Sequence, residues 1–242
     1  MTIIFIAIFL ISFLATLVRS TFGFGESLVA VPLFSFFIPI SAAVPLSVLI
    51  SVLVALVVVI QDHSRIEFRS AKWLILSAIP GIPLGVLLLA YGNPVIIKTV
   101  LGILIVAYAL YALLAKNSFR LEKDSKPWLL VCGFLSGIFG GAYGINGPPL
   151  AVYGNLRSWN AGTFRATLQG YFLPASLMGL IGYIFKGLVT REVGLDFLVS
   201  LPAALPAIFV GRYLNKRLKG QQFFRYVYAG LLLIGLLLIS TH

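Results

Sequence analysis

The sequence predicts an all-α membrane protein made of two inverted-topology repeats, each with about five membrane elements and one broken or re-entrant helix. Three observations predict it. Of 242 residues, 60% are apolar and only 10% charged, where a soluble domain carries about 25% charged residues. Apolar runs approach the roughly 20 residues that cross hydrocarbon. Two glycine-rich interruptions, at 19–27 and 140–149, recur at a constant offset of 121 residues.

In chain order, the first apolar run, 3–18, has no positive leader and no small-residue cleavage site before Arg19, so we read it as a retained helix. The first interruption follows, and Glu26 or Ser27 starts the next short helix, to 38. Full spans are expected at 41–61, 71–91 and 94–115, closing a first repeat over 1–115. The hydrophilic stretch 116–127 is a cytoplasmic linker. The second repeat, 128–242, opens with short pieces at 128–139 and 148–156 around Gly140 to Pro149, where Pro148 or Pro149 marks a helix start. Spans at 164–186, 196–214 and 222–240 complete it.

The repeat itself rests on aligned landmarks. Phe22-Gly23-Phe24 matches Tyr143-Gly144-Ile145, Leu28 to Val31 matches Pro149 to Val152, and Pro80 and Pro83 answer Pro202 and Pro206. With an odd number of elements per half, the second half enters inverted, a pattern common among secondary transporters.

The formal charge of +11 would suggest nucleic acid in a soluble protein, but its placement excludes that. Arg65, Arg69, Lys72, Lys116, Arg120, Lys123, Lys126, Arg157, Arg165, Arg212, Lys216, Arg217, Lys219 and Arg225 fall on one side of this topology. Only Lys98, Lys186 and Arg191 fall on the other, with Arg19 at the first interruption. The positive-inside rule makes the rich side cytoplasmic, in a multi-pass protein of the cell (inner) membrane with both termini extracytoplasmic. The bilayer is its first partner.

Unwound backbone inside lipid is tolerated only where protein covers it or a polar cavity meets it. Two symmetry-related interruptions therefore suggest one shared cavity, with two helix N-termini aimed into it. Each N-terminus carries about half a positive charge and free N–H donors, which suit a small anion. Gly23, Gly25, Gly144 and Gly147 would let backbone approach such a ligand, although tight helix packing alone also explains glycines. Ser27, Tyr143, Asn146 and Gln169 are the polar side chains best placed to contact the solute, and Asn146 is the best of them. Arg19 is either a ligand group or an interfacial anchor. Glu26 is the sole acidic residue away from the polar links and ends. It either stabilises its helix N-terminus or, by competing with an anion for the same positive end, couples binding to protonation.

Catalytic patterns are thin. His63 and His242 are the only histidines, Cys132 is the only cysteine, and neither a serine-nucleophile elbow nor a phosphate loop occurs. The chain carries no motif for a cofactor or ATP, so gradients or the membrane potential must supply energy.

The two interruptions resemble those of the TauE/SafE family of sulfite-exporter-type transporters. The carrying residues are Gly23-Phe24-Gly25-Glu26-Ser27-Leu28-Val29-Ala30-Val31-Pro32-Leu33 and Gly140-Gly141-Ala142-Tyr143-Gly144-Ile145-Asn146-Gly147-Pro148-Pro149. The resemblance implies outward passage of sulfite, organosulfonates or related carboxylates. Glu26 departs from the family's glycine-rich motif, which leaves the substrate open. An anion channel and a non-transporting membrane assembly scaffold are the alternatives. A channel conducts without saturating, and a scaffold gives no flux.

Overall fold

A computed structural model describes residues 2–114, 121, 124–217 and the six residues 232, 233, 235, 236, 239 and 240. Among the described residues ten α-helices follow one another: α1 Thr2–Phe22, α2 Glu26–Phe34, α3 Ile40–Asp62, α4 Phe68–Ala78, α5 Gly81–Tyr91, α6 Pro94–Leu114, α7 Lys126–Tyr143, α8 Gly147–Leu156, α9 Ala161–Phe185 and α10 Arg191–Arg217. Among the described residues there is no strand. Five of these helices are long and apolar enough to cross a membrane, and α4 with α5, taken together as one bent span, would make a sixth. Exposed Ile60, Phe68, Phe185 and Phe209 show an apolar surface that only lipid covers without cost.

Expected and observed elements differ where backbone chemistry decides. The 19–27 interruption is shorter than the glycine-rich run suggests: Arg19 to Phe22 complete the last turn of α1, and only residues 23–25 are unwound. None of Arg19, Ser20, Thr21 and Phe22 breaks a helix, whereas Gly23 and Gly25 sit at φ +87° and +98°, a region that β-carbons disfavour. The second interruption likewise narrows to 144–146, with Gly144 at φ +68°. Both helices before the breaks and both helices after them then keep the 121-residue offset: Phe22 to Tyr143, and Glu26 to Gly147. The span 71–91 is bent by 46° between α4 and α5, at Ile79 and Pro80. Its counterpart α10 contains Pro202 and Pro206 yet stays one helix. Between α4 and α5, Pro80 is followed at once by Gly81, which frees the backbone to turn; inside α10, Ala203 follows Pro202. Most of the expected 222–240 span and most of the 116–127 linker lie outside the described residues.

The helix ends sort into two sets. At one end, Arg157 Nε donates to Asp124 Oδ1 at 3.0 Å, Ser70 Oγ donates to the same carboxylate, Glu67 N–H donates to Thr167 Oγ1 at 2.9 Å, and Arg212 pairs with Asp62 at 3.6 Å. These contacts join the end of α3, the start of α4, the entry to α7, the end of α8, the start of α9 and the end of α10, and with them Arg65, Arg69, Lys72 and Lys126. We call it the basic end. At the opposite end Lys98 donates to the Ser35 carbonyl and Lys186 to the Tyr91 hydroxyl, at 3.3 and 3.0 Å.

This sorting shows how the broken helices run. α1 lies alongside α10 and parallel to it, Ser12 meeting Ser200 midway along α1 and Thr21 meeting Asn215 near the ends of both helices. After the break, α2 turns back and finishes at Ser35, opposite the basic end. α7 leaves the basic end, and α8 turns back to it at Arg157. The two hairpins therefore enter from opposite ends.

Each hairpin also packs against the other half of the chain. α1 rests on α10, while α7 rests on α4 and α5; α3 and α9 cross between them. The contact of α7 with α4 and α5 is backbone against backbone. A β-carbon on Gly81 would stand 3.0 Å from Ile138 N and strike the Phe134 carbonyl oxygen, and one on Gly141 would stand 2.9 Å from Val86 N and strike the Ile82 carbonyl oxygen.

Candidate functional site

The two breaks meet. Gly25, Glu26 and Ser27, at the start of α2, face Gly144, Ile145, Asn146 and Gly147, at the start of α8, across one small cavity. Arg19, Phe24, Leu28, Ser51 and Phe172 close its sides. Its volume, about 20 Å³, holds about one water molecule. The breaks bring it about because a left-handed glycine at the first unwound position reverses the chain within three residues, placing each new helix N-terminus inside the bundle.

Arg19 and Glu26 form a buried ion pair on its wall, 3% and 1% exposed, with Nη1 to Oε2 at 2.6 Å. The guanidinium is held from three more sides. Nη1 also donates to Ser51 Oγ at 2.5 Å, Nε and Nη2 donate to Gln169 Oε1 at 3.2 and 2.8 Å, and the Phe172 ring lies 4.9 Å from Cζ. Gln169 in turn donates its amide N–H to the Gly23 carbonyl at 2.6 Å, tying α9 to the unwound strand. Serines continue the polar lining: Ser47 Oγ donates to Ser27 Oγ at 3.0 Å, and Ser51 and Ser176 hydroxyls lie 3.2 Å apart.

With Arg19 and Glu26 cancelling, the balance is set by two helix N-termini. Each contributes roughly half a positive charge, together about one. Neither is capped by a side chain: Gly25 has none, and Asn146 makes no capping bond. Two buried acceptors at the cavity, Glu26 Oε1 and Asn146 Oδ1, have no hydrogen-bond partner in the protein and call for a donor, such as a water molecule or a proton, beside any anion. A small pocket with two uncapped helix N-termini on its wall is chemically suited to one small oxyanion, met by the first N–H groups of α2 and by Gly147, since Pro148 and Pro149 carry no N–H.

Of the residues singled out in the sequence, Arg19, Gly25, Glu26, Ser27, Gly144, Asn146 and Gly147 line the cavity. Gln169 and Gly23 stand one layer behind, as the brace that holds Arg19 and the strand. Tyr143 is buried as the last residue of α7 and does not line it. Ser51 and Phe172 escaped notice. Ser47 and Ser51, four residues apart within the apolar α3, share a helix face. That spacing was the available signal; for Phe172 among nineteen phenylalanines there was none.

A family model described as sulfite exporter TauE/SafE matches residues 8–238. No curated protein and no solved structure matched the chain.

Proposed function

The chain belongs to the sulfite exporter TauE/SafE family, a family of membrane transporters, and on that premise we propose that it is a secondary transporter exporting a small anion. Sulfite, an organosulfonate or a related carboxylate is the solute class. The observation that carries this reading is the meeting of two oppositely directed helix breaks at one buried, net-positive cavity beside Arg19.

The 1–115 and 128–242 halves are inverted repeats in this reading, joined through 116–127. The constant offset of the breaks and the exchange of packing between halves support it. The basic end faces the cytoplasm. The solute sits between the N-termini of α2 and α8, contacted by backbone N–H groups at Glu26, Ser27 and Gly147 and by the side chains of Ser27 and Asn146. Because the cavity holds about one water, the two hairpins must part to admit a solute, first toward one end and then toward the other. Glu26 supplies coupling: ionised, it occupies Arg19; protonated, it releases Arg19 to the anion. A monoanion moving without the proton is favoured outward by a negative interior by about 2.3 kcal/mol per 100 mV; moving with the Glu26 proton, it crosses without net charge and draws on the solute and proton gradients.

Reconstitution into liposomes tests the proposal. Efflux of sulfite, taurine-like sulfonates and small carboxylates, compared side by side, should saturate for one class. Replacing Asn146 by Ala should raise KM for that class. Flux that rises linearly with concentration points to a channel, and no flux with any solute removes the transporter reading.

A further inference from the structure

Arg165 lies outside the cavity and was grouped in the sequence only with the basic loops. It is 5% exposed, and its Nε and Nη2 have no hydrogen-bond partner in the protein. A guanidinium carries donors only and cannot shed its charge, so burying two of its three nitrogens without acceptors is costly. Asp62 and Arg212 are the charged groups that act on it. They are paired with each other at 3.6 Å, leaving the trio with one net positive charge.

Its position gives the cluster a purpose. Arg165 and Gln169 stand four residues apart on α9, hence on one face. Gln169 holds the Gly23 carbonyl, and a β-carbon on Gly23 would stand 3.1–3.2 Å from the Arg165 backbone and stem. α9 begins at the basic end, so Arg165 lies about 6 Å nearer that end than Gln169. Helical side chains lean toward the N-terminus, which aims the guanidinium further the same way. A solute travelling from the basic end to the cavity meets Arg165 first, then the unwound strand 23–25.

We propose that Arg165 forms a second oxyanion site, a staging site at the basic mouth of the pathway, where the solute docks before it enters the cavity between the breaks. This rests on the transport reading above. The guanidinium edge presents parallel N–H donors matched to two oxygens of a sulfite, sulfonate or carboxylate group. A lipid phosphate offers the same chemistry, but a side chain this buried, against the unwound strand, favours the free solute.

The test uses the full chain in oriented phosphatidylcholine proteoliposomes, with sulfite added at the basic face. Arg165→Gln should raise KM about tenfold while Vmax stays within about twofold, the loss expected for one charge-assisted bidentate contact. Arg165→Lys keeps the charge but loses the two-pronged geometry, so its KM should fall between wild type and Arg165→Gln, a graded shift that a folding defect would not produce. An unchanged KM in Arg165→Gln, or a fall in Vmax alone, overturns the staging site while leaving the transporter reading in place. A KM shift that appears only when phosphatidylglycerol is added makes lipid phosphate the occupant and also overturns it. Wild-type protein without saturable flux of sulfite or, in its place, of a taurine-like sulfonate or a small carboxylate overturns both readings.

Discussion

At the scale of single residues, the decisive feature is a charge pair buried inside the helix bundle. Removing one member of a buried ion pair leaves the other uncompensated, at a cost of about 3–5 kcal/mol, whereas replacing both with apolar groups is often neutral. Arg19→Ala should therefore lower the detergent melting temperature sharply. Combining Arg19→Met with Glu26→Leu should recover most of that loss yet leave no anion flux, since the guanidinium goes with it. If the double variant melts as low as the single one, Arg19 supports the fold chiefly through Ser51 and Gln169. Glu26→Gln makes a separate prediction. In wild type, flux should rise as pH falls and Glu26 takes up a proton; in the variant, which cannot ionise there, that rise should be gone. A variant with the wild-type pH profile removes Glu26 from coupling.

At the scale of elements, glycine decides both where helices stop and where they touch. Gly85 lies against α7, and a β-carbon there would strike the Ile138 carbonyl and stand 2.6 Å from Ala142 N. Backbone cannot yield as a flexible side chain can, so Gly85→Ala should destabilise by about 1–3 kcal/mol, read as a lower midpoint in thermal unfolding. Gly194, with nothing within 4 Å of its β-carbon position, is the control and should tolerate Ala. The sequence made the stops legible because a left-handed backbone needs glycine: Gly23, Gly25 and Gly144 stood out before any coordinates. It made the extent of the breaks less legible, since Arg19 and Gly140 lie in the glycine-rich runs but keep helical geometry once neighbours cover them. Partner choice was not legible at all. Nothing local in Gly81 or Gly85 names α7 as the surface they serve. The 46° bend was signposted by Pro80, yet the same residue type leaves α10 in one piece.

For the whole molecule, the proposed orientation has a direct check. Cys132 is buried, so a cysteine introduced at an exposed turn is the one that a membrane-impermeant maleimide should reach. Thr190→Cys, at the end opposite the basic one, should be labelled in intact cells. Ser64→Cys, at the basic end, should be labelled only after the membrane is opened. The reverse pattern would invert the assignment of sides and make the Arg165 mouth extracytoplasmic. Sequence alone yielded this charge asymmetry because lipid forbids charge along most of each span, leaving the ends as the places where lysine and arginine accumulate.

Packing across the halves bears on biogenesis. α1 settles against α10, whose residues are translated some 190 positions later, as the contact between Ser12 and Ser200 illustrates. The nascent first hairpin must therefore wait in lipid before Gln169 exists to brace its arginine. Glu26 is only 7 residues from Arg19 and leaves the ribosome almost with it. Neutralising each other locally, the two let an otherwise charged segment enter the bilayer as a self-contained unit. The same pair that lines the finished cavity thus serves first as an insertion device.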